Sequence, residues 1–161
     1  MNDIIFKSEI FNIAIPNNVI QIFSKFKQDE KKKNESGGIL LGYLIGDNIH
    51  ISKVTIPNKF DKSSRYTFER NKDAAQIVVD HEFINSNGMI IYLGEWHTHP
   101  EDHPTPSGQD KIMIRDQYKK GKLNEPFLLL LILGLVSLTV MVHDGGILEF
   151  AKLISPYSDP A

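Results

Sequence analysis

The chain contains no cysteine, which excludes disulfide frameworks, thiol nucleophiles and every cysteine-held zinc or iron–sulfur site. Any metal must therefore rest on His, Asp or Glu. An excess of one charge is also missing: eighteen Lys and Arg face twenty Asp and Glu, a net of −2 with His neutral. No overall field draws the chain to nucleic acid or to an anionic membrane, so neither is expected as a partner without a local patch. Nor is there a long apolar run. Phe127 to Val142 carries no charge but is interrupted by Gly134, Ser137 and Thr139, and a spanning helix takes about 20 apolar residues. The opening MNDIIFKSEIFNIAIP has an early acid and no apolar block ending in small residues, so it does not read as a secretory signal and the expected compartment is the cytoplasm. Repeats, low-complexity tracts and dividing linkers are absent from the sequence too. A chain of 161 residues is expected to bury roughly 70% of its unfolded surface around one core, which makes residues 1–161 a single expected domain.

What is present alternates between strand and helix patterns. After Pro16, residues Val19, Ile20, Phe23 and Phe26 recur at helical spacing and predict an amphipathic helix that ends in the charge run KQDEKKKNE. Gly38 to Gly46 and Ile49 to Ile56 are apolar runs around Gly46-Asp47-Asn48, a hairpin pattern. Pro57 to Arg70 is polar and irregular. Asn71 is placed to cap a second helix with an apolar stripe of Ala74, Ala75, Val78 and Val79, closed by Asn87-Gly88. Met89 to Trp96 predicts a strand leading into HTHP, and a third helix is expected from about Ser107 to Lys120. Phe127 to Leu133 and Leu138 to His143 read as buried strands, and ILEFAKLI after Asp144-Gly145-Gly146 as a returning strand. The expected fold class is α/β, a central mixed sheet flanked by about three helices.

The stretch GEWHTHPEDHPTPSGQD, residues 94–110, carries the chemistry. His97 and His99 stand one residue apart at a strand end, where side chains at i and i+2 leave on one face and can converge on one ion. By itself such a pair is also common among surface and structural histidines. Ser107 and Asp110 have the form of a capping box, and a carboxylate held in the first turn of a helix can also point back toward the histidine strand. With His97, His99 and Asp110 as ligands, zinc keeps a fourth position for water, as catalytic sites do. Hydrolysis further needs a base, and Glu35 in NESGGILLG is the candidate, although in isolation it reads equally as a surface acid.

Taken together, Glu35, then His97-Thr98-His99-Pro100, six residues, then Ser107-Gly108-Gln109-Asp110 resembles the motif of the JAB or JAMM (MPN-plus) zinc metalloproteases without a departure. The resemblance covers roughly residues 35–150. It implies a zinc-dependent hydrolase that cleaves isopeptide or peptide bonds at the C-terminal tail of a ubiquitin-like protein. His97, His99 and Asp110 match the family's zinc ligands, Glu35 the residue that activates water, and Ser107 the residue that stabilises the oxyanion. Compact size, GEWHTHPE and the PTPS loop resemble stand-alone bacterial members most. Among these, the deubiquitinase-like proteases of cyclic-oligonucleotide (CBASS) antiphage systems act on a conjugate between a nucleotidyltransferase and another protein. The expected partner is therefore a protein with an extended C-terminal tail, bound as an added strand.

Two other readings stand beside this one: a JAMM protease that processes a sulfur-carrier protein or a cysteine adduct, and a metal-free MPN-type scaffold. A zinc nucleobase deaminase would need a Cys pair, and thermolysin-like chemistry an H-E-x-x-H helix; the chain has neither. Alternation turns Trp96 away from the histidines toward packing and leaves Glu95 on their side, as a partner for a ligand or as a bystander. Arg65, Tyr66 and Phe68 either clamp an extended peptide or belong to a plain loop. His103 is expected in an exposed loop, and His50, His81 and His143 fit no ligand spacing.

Overall fold

Strand follows helix along the chain as the apolar pattern requires, and the computed structural model describes residues 3–154. Two short strands come first, β1 (Ile4–Lys7) and β2 (Asn12–Ile15), followed by helix α1 (Asn17–Ser24). The hairpin β3 (Gly37–Ile45) and β4 (Asn48–Val54) turns through Gly46, whose φ of 59° suits glycine. A small separate hairpin, β5 (Lys62–Ser63) and β6 (Phe68–Glu69), precedes α2 (Lys72–Asn85). Then come β7 (Ile91–Thr98), α3 (Gly108–Lys120), β8 (Leu128–Leu133), β9 (Leu138–His143), β10 (Glu149–Phe150) and β11 (Lys152–Ile154).

Among the described residues nine strands form one mixed sheet in the order β10-β9-β8-β7-β3-β4-β2-β1-β11. Its two outermost strands, β10 and β11, are separated in the chain by Ala151 alone. The Ala151 amide donates to the Val140 carbonyl at 2.8 Å, so the sheet curls until its ends meet. The concave side holds α1, which buries Val19 and Phe23 against Ile13, Leu40, Leu93, Leu129 and Leu131. On the other face α3 inserts Ile114 among Leu128, Leu130 and Ile132, and α2 lies over β3 and β7. With both faces covered, β8 reads as an unbroken apolar run whose side chains divide alternately between the two cores.

The strand that leads to the histidines breaks its own alternation. Leu40 of β3 pairs with Gly94 and Leu41 with Tyr92, so Leu93 is an extra residue, a β-bulge. Before the bulge Ile91 and Leu93 face the concave core; after it Trp96 does. The phase shift turns Glu95 and His97 to the opposite face. Gly94 makes this possible: its φ is 149°, and a Cβ there would stand 2.0 Å from the Leu129 carbonyl oxygen of β8.

Several expectations are corrected. Helix α1 stops at Ser24, and residues 25–36 fold as turns and loop, so the charge run is not a helix end. A glutamine and an arginine described below satisfy its carbonyls instead. Residues 4–15, for which no elements were expected, supply β1 and β2, each too short to show a period. The returning strand 147–154 divides at Ala151 because its halves pair with different partners, β9 and β1. The α2 stripe is the covered side of the helix, but only partly: Ala74, Ala75, Val78 and Val79 are half-buried and no residue of α2 is fully buried. Pro57 to Arg70 is not wholly irregular, since it contains the β5–β6 hairpin.

Replacing Gly94 by Ala is expected to lower folding stability by about 3 kcal/mol or more, combining an unfavourable φ with a backbone clash. Urea denaturation checks this, with Gly46→Ala, whose Cβ meets no atom within 4 Å, as the milder control.

Candidate metal centre

Three segments bring the acids and imidazoles together. The loop before β3 presents Glu35, the end of β7 presents His97 and the residue after it His99, and the first turn of α3 presents Asp110. Each is fixed by its backbone. The Glu35 amide donates to the Ser64 carbonyl at 2.7 Å, and the Thr98 amide donates to the Ser36 carbonyl at 2.9 Å. The His99 amide donates to the Leu133 carbonyl at 3.0 Å. Ser107 caps α3: its hydroxyl accepts from the Asp110 amide at 3.1 Å, while the Asp110 carboxylate accepts from the Ser107 amide at 2.8 Å. This reciprocal cap, worth about 1 kcal/mol, also fixes the rotamer that aims Asp110 at the histidines.

Asp110 Oδ1 lies 3.1 Å from His97 Nε2 and its Oδ2 3.1 Å from His99 Nε2. Glu35 Oε1 is 3.8 Å from His97 Nε2, and the two imidazole rings stand 5.0 Å apart. Ligand atoms of Glu35, His97 and His99 all lie within 4.8 Å of one another, and all three residues are buried. Glu35 Oε2, His97 Nε2 and His99 Nδ1 are buried without a hydrogen-bond partner. Buried polar atoms are normally satisfied, so unpartnered atoms on three of the four clustered side chains mark a place built for something else. Two imidazoles and a choice of two carboxylates, without sulfur, suit zinc or another first-row divalent ion.

The two acids are driven in opposite directions. Burial pushes the Glu35 carboxyl up to about 7; the positive fields of His97 and His99 oppose this, and Asp110 adds to it. Asp110 is also penalised by burial, but the two imidazoles against it, with the Ser107 amide, hold its carboxyl well below the usual range. Burial likewise opposes charge on His99, and the adjoining Asp110 outweighs it, raising the imidazole above its ordinary value.

The structure thus gathers four of the five residues singled out in the sequence. Ser107, the fifth, is exposed at the cap; accepting from Asp110 leaves its hydroxyl proton free to donate. Glu95 does not serve a histidine. Its carboxylate accepts from Arg70 Nε at 2.7 and 2.9 Å and from the Tyr92 hydroxyl at 2.6 Å, which neutralises a fully buried charge beside the centre. Trp96 is a packing residue, tilted against Phe23 and Phe26 with its indole N–H donated to the Thr55 carbonyl at 2.9 Å. Arg65 turns Nη1 back onto its own chain, donating to the carbonyls of Glu30, Lys31 and Lys33. Tyr66 is exposed, and Phe68 stands close to Gly37. His103 sits in an exposed loop and pairs with Ser137; His50, His81 and His143 lie elsewhere, against Tyr43, Asn85 and Tyr118. Thr98 was overlooked: between two candidate ligands it reads as a spacer, yet it is fully buried and its Oγ1 accepts from the Ser36 amide at 3.0 Å.

Comparison with known proteins agrees with this geometry. Residues 16–144 match the family described as prokaryotic homologs of the JAB domain. A protein named CD-NTase/cGAS isopeptidase from Escherichia coli (strain TW11681) is 35% identical over 133 residues, 82% of this chain and 83% of that protein. A protein of the same name from Pseudomonas aeruginosa (strain BWHPSA011 / Pa011) is 40% identical over 92 residues, 57% of this chain and 58% of its own. The solution structure of a protein from Desulfitobacterium hafniense shares the fold, with a TM-score of 0.57 and 21% identity across 84% of this chain and 86% of that one.

Metal analysis of the purified chain is expected to find about one zinc per molecule, and essentially none in His97→Ala. Metal in neither protein would favour the scaffold reading.

Proposed function

The chain belongs to the family of prokaryotic JAB-domain homologs, and from that premise we propose that it is a zinc-dependent isopeptidase. Its substrate is a conjugate formed at the C-terminal tail of a nucleotidyltransferase or a ubiquitin-like protein, in bacterial antiphage defence. The observation that carries the proposal is geometric: two carboxylates in unlike surroundings converge on one pair of buried histidines, Asp110 with an oxygen 3.1 Å from each imidazole and Glu35 3.8 Å from His97. Environments that push neighbouring carboxyls apart assign them different work. Asp110, held ionised with an oxygen on each imidazole, suits a permanent ligand beside His97 and His99. Glu35, pushed up to about 7, suits a group that must take and return a proton near neutral pH.

Zinc bound there supplies Lewis acidity, lowering the pKa of water from 15.7 to about 7 and polarising a carbonyl oxygen. The residues do the rest. Glu35 removes a proton from the attacking water as its oxygen joins the carbonyl carbon. Ser107 donates a hydrogen bond from its hydroxyl to the oxygen that gains negative charge. As the C–N bond breaks, Glu35 returns the proton to the leaving amine, so the products are a carboxylate and a free amino group. Burial of Glu35 keeps bulk water from competing for that proton. The relatives named CD-NTase/cGAS isopeptidase support a nucleotidyltransferase conjugate over a sulfur-carrier substrate.

The test is cleavage of a fusion that joins a CBASS-type nucleotidyltransferase C-terminus to a folded reporter. Zinc-loaded wild type is expected to cut it. Loss of one oxyanion donor costs about 10²–10³ in kcat, the range expected for Ser107→Ala, and Glu35→Ala is expected to lose more. Turnover retained in Glu35→Ala would remove Glu35 from its role. A zinc-loaded wild type that leaves the fusion intact would instead overturn the substrate and redirect the search to other ubiquitin-like or sulfur-carrier tails.

A further inference from the structure

Gln28 lies in the charge run QDEKKKNE, yet it is only 2% exposed. A neutral amide in that place has two ends to satisfy, and both are used. Its Oε1 accepts from the Thr98 hydroxyl at 2.9 Å, across 70 residues of sequence. Its Nε2 donates to the Arg65 carbonyl at 2.8 Å and to the Lys33 carbonyl at 3.3 Å. These partners are the ones that hold Glu35. Thr98 receives the Ser36 amide on Oγ1 and gives its own amide to the Ser36 carbonyl. Ser64, next to Arg65, receives the Glu35 amide. Gln28 therefore ties together the residue between the two histidines, the hairpin loop at Ser64–Arg65, and the loop that carries Glu35.

We propose that Gln28 is a positioning residue, which acts through Thr98 and Arg65 to hold the Glu35 carboxylate in register with His97 and His99. The inference rests on the assignment of Glu35 as the base. A carboxylate would face the carbonyls of Lys33 and Arg65, and an apolar side chain would strand the Thr98 hydroxyl proton and the Arg65 carbonyl, while Lys33 keeps Arg65 Nη1. The bonds join segments that are otherwise remote in sequence, so their loss lets the Glu35 loop drift relative to the histidine strand. Displacement of a reacting group by about 1 Å can cost around 10²-fold in rate.

Gln28→Met, close in shape but unable to make these bonds, is compared with Thr98→Val and Thr98→Ser in the full chain loaded with zinc. With the reporter fusion as substrate, Gln28→Met and Thr98→Val are expected to lose about 10- to 100-fold in kcat, with KM and zinc affinity nearly unchanged. Thr98→Ser, which keeps the hydroxyl, stays near wild type. Amide hydrogen exchange supplies a readout free of turnover: the Glu35 and Ser36 amides exchange faster in Gln28→Met, while those of Leu129 and Leu131 keep wild-type protection. Wild-type kcat in Gln28→Met overturns the inference. So does a general defect, in which KM, zinc affinity and β8 exchange all shift with kcat. If Gln28→Met does not fold, the contrast between Thr98→Val and Thr98→Ser decides in the same way. If wild type cuts nothing, the substrate assignment has failed on its own, and unaltered Glu35 and Ser36 exchange in the variant still overturns the positioning role.

Discussion

One extra residue in β7, Leu93 opposite the Leu40–Leu41 step of β3, sets which side chains of that strand meet the core and which meet the site. A strand alternates strictly, so a chain that buries Leu93 inward would bury Glu95 and His97 inward as well. The bulge breaks that rule once. It lets Trp96 join Leu93 and Phe23 in the concave core while Glu95 and His97 emerge on the far side. Gly94 is the residue that tolerates the resulting backbone against β8. Everything that follows, from the pairing of Glu95 with Arg70 to the approach of Asp110, presupposes this change of phase.

A site so placed collects charge where water is scarce, and each charge needs an answer. Glu95 is answered by Arg70 and Tyr92, so it adds no net field beside the histidines. Asp110 is answered by the two imidazoles and by the amide at the start of α3, where the helix dipole also favours an anion. Glu35 is answered only from a distance, by His97 at 3.8 Å and by the field of His99. Its unbalanced burial keeps the proton within reach of neutral pH, and the same imbalance makes its position depend on backbone anchors rather than on a salt bridge. Gln28, Thr98 and Ser64 are those anchors.

The curled sheet explains why the anchors can be rigid. Helix α1 fills the concave side and α2 and α3 cover the other, so β7 and β8 at the middle are buried on both faces. His97 and His99 leave from the end of β7, in this doubly covered middle of the sheet. The β5–β6 hairpin and the loop of residues 99–107 are tied back onto it by several hydrogen bonds each, among them Glu35 to Ser64 and Thr139 to Pro104.

Much of this was legible in the sequence because it depends on local rules. Capping residues announced α2 and α3, unbroken apolar runs announced β8 and β9, and the spacing of His97, His99, Ser107 and Asp110 announced that the two imidazoles and the Asp110 carboxylate could meet, since a strand end and a first helical turn project side chains at fixed intervals. The distant Glu35 was legible only through resemblance to a motif, as nothing local distinguishes it from other surface acids. Tertiary structure alone decided the rest: that two four-residue strands at residues 4–15 close the sheet, that Glu95 is spent on Arg70, that Arg65 Nη1 binds the carbonyls of Glu30, Lys31 and Lys33, and that Gln28 is buried in the middle of a charged run. Each of these depends on a partner tens of residues away. A buried hydrogen bond is worth making only where the fold brings its two ends together and excludes water, and the residues between those ends carry no trace of that meeting.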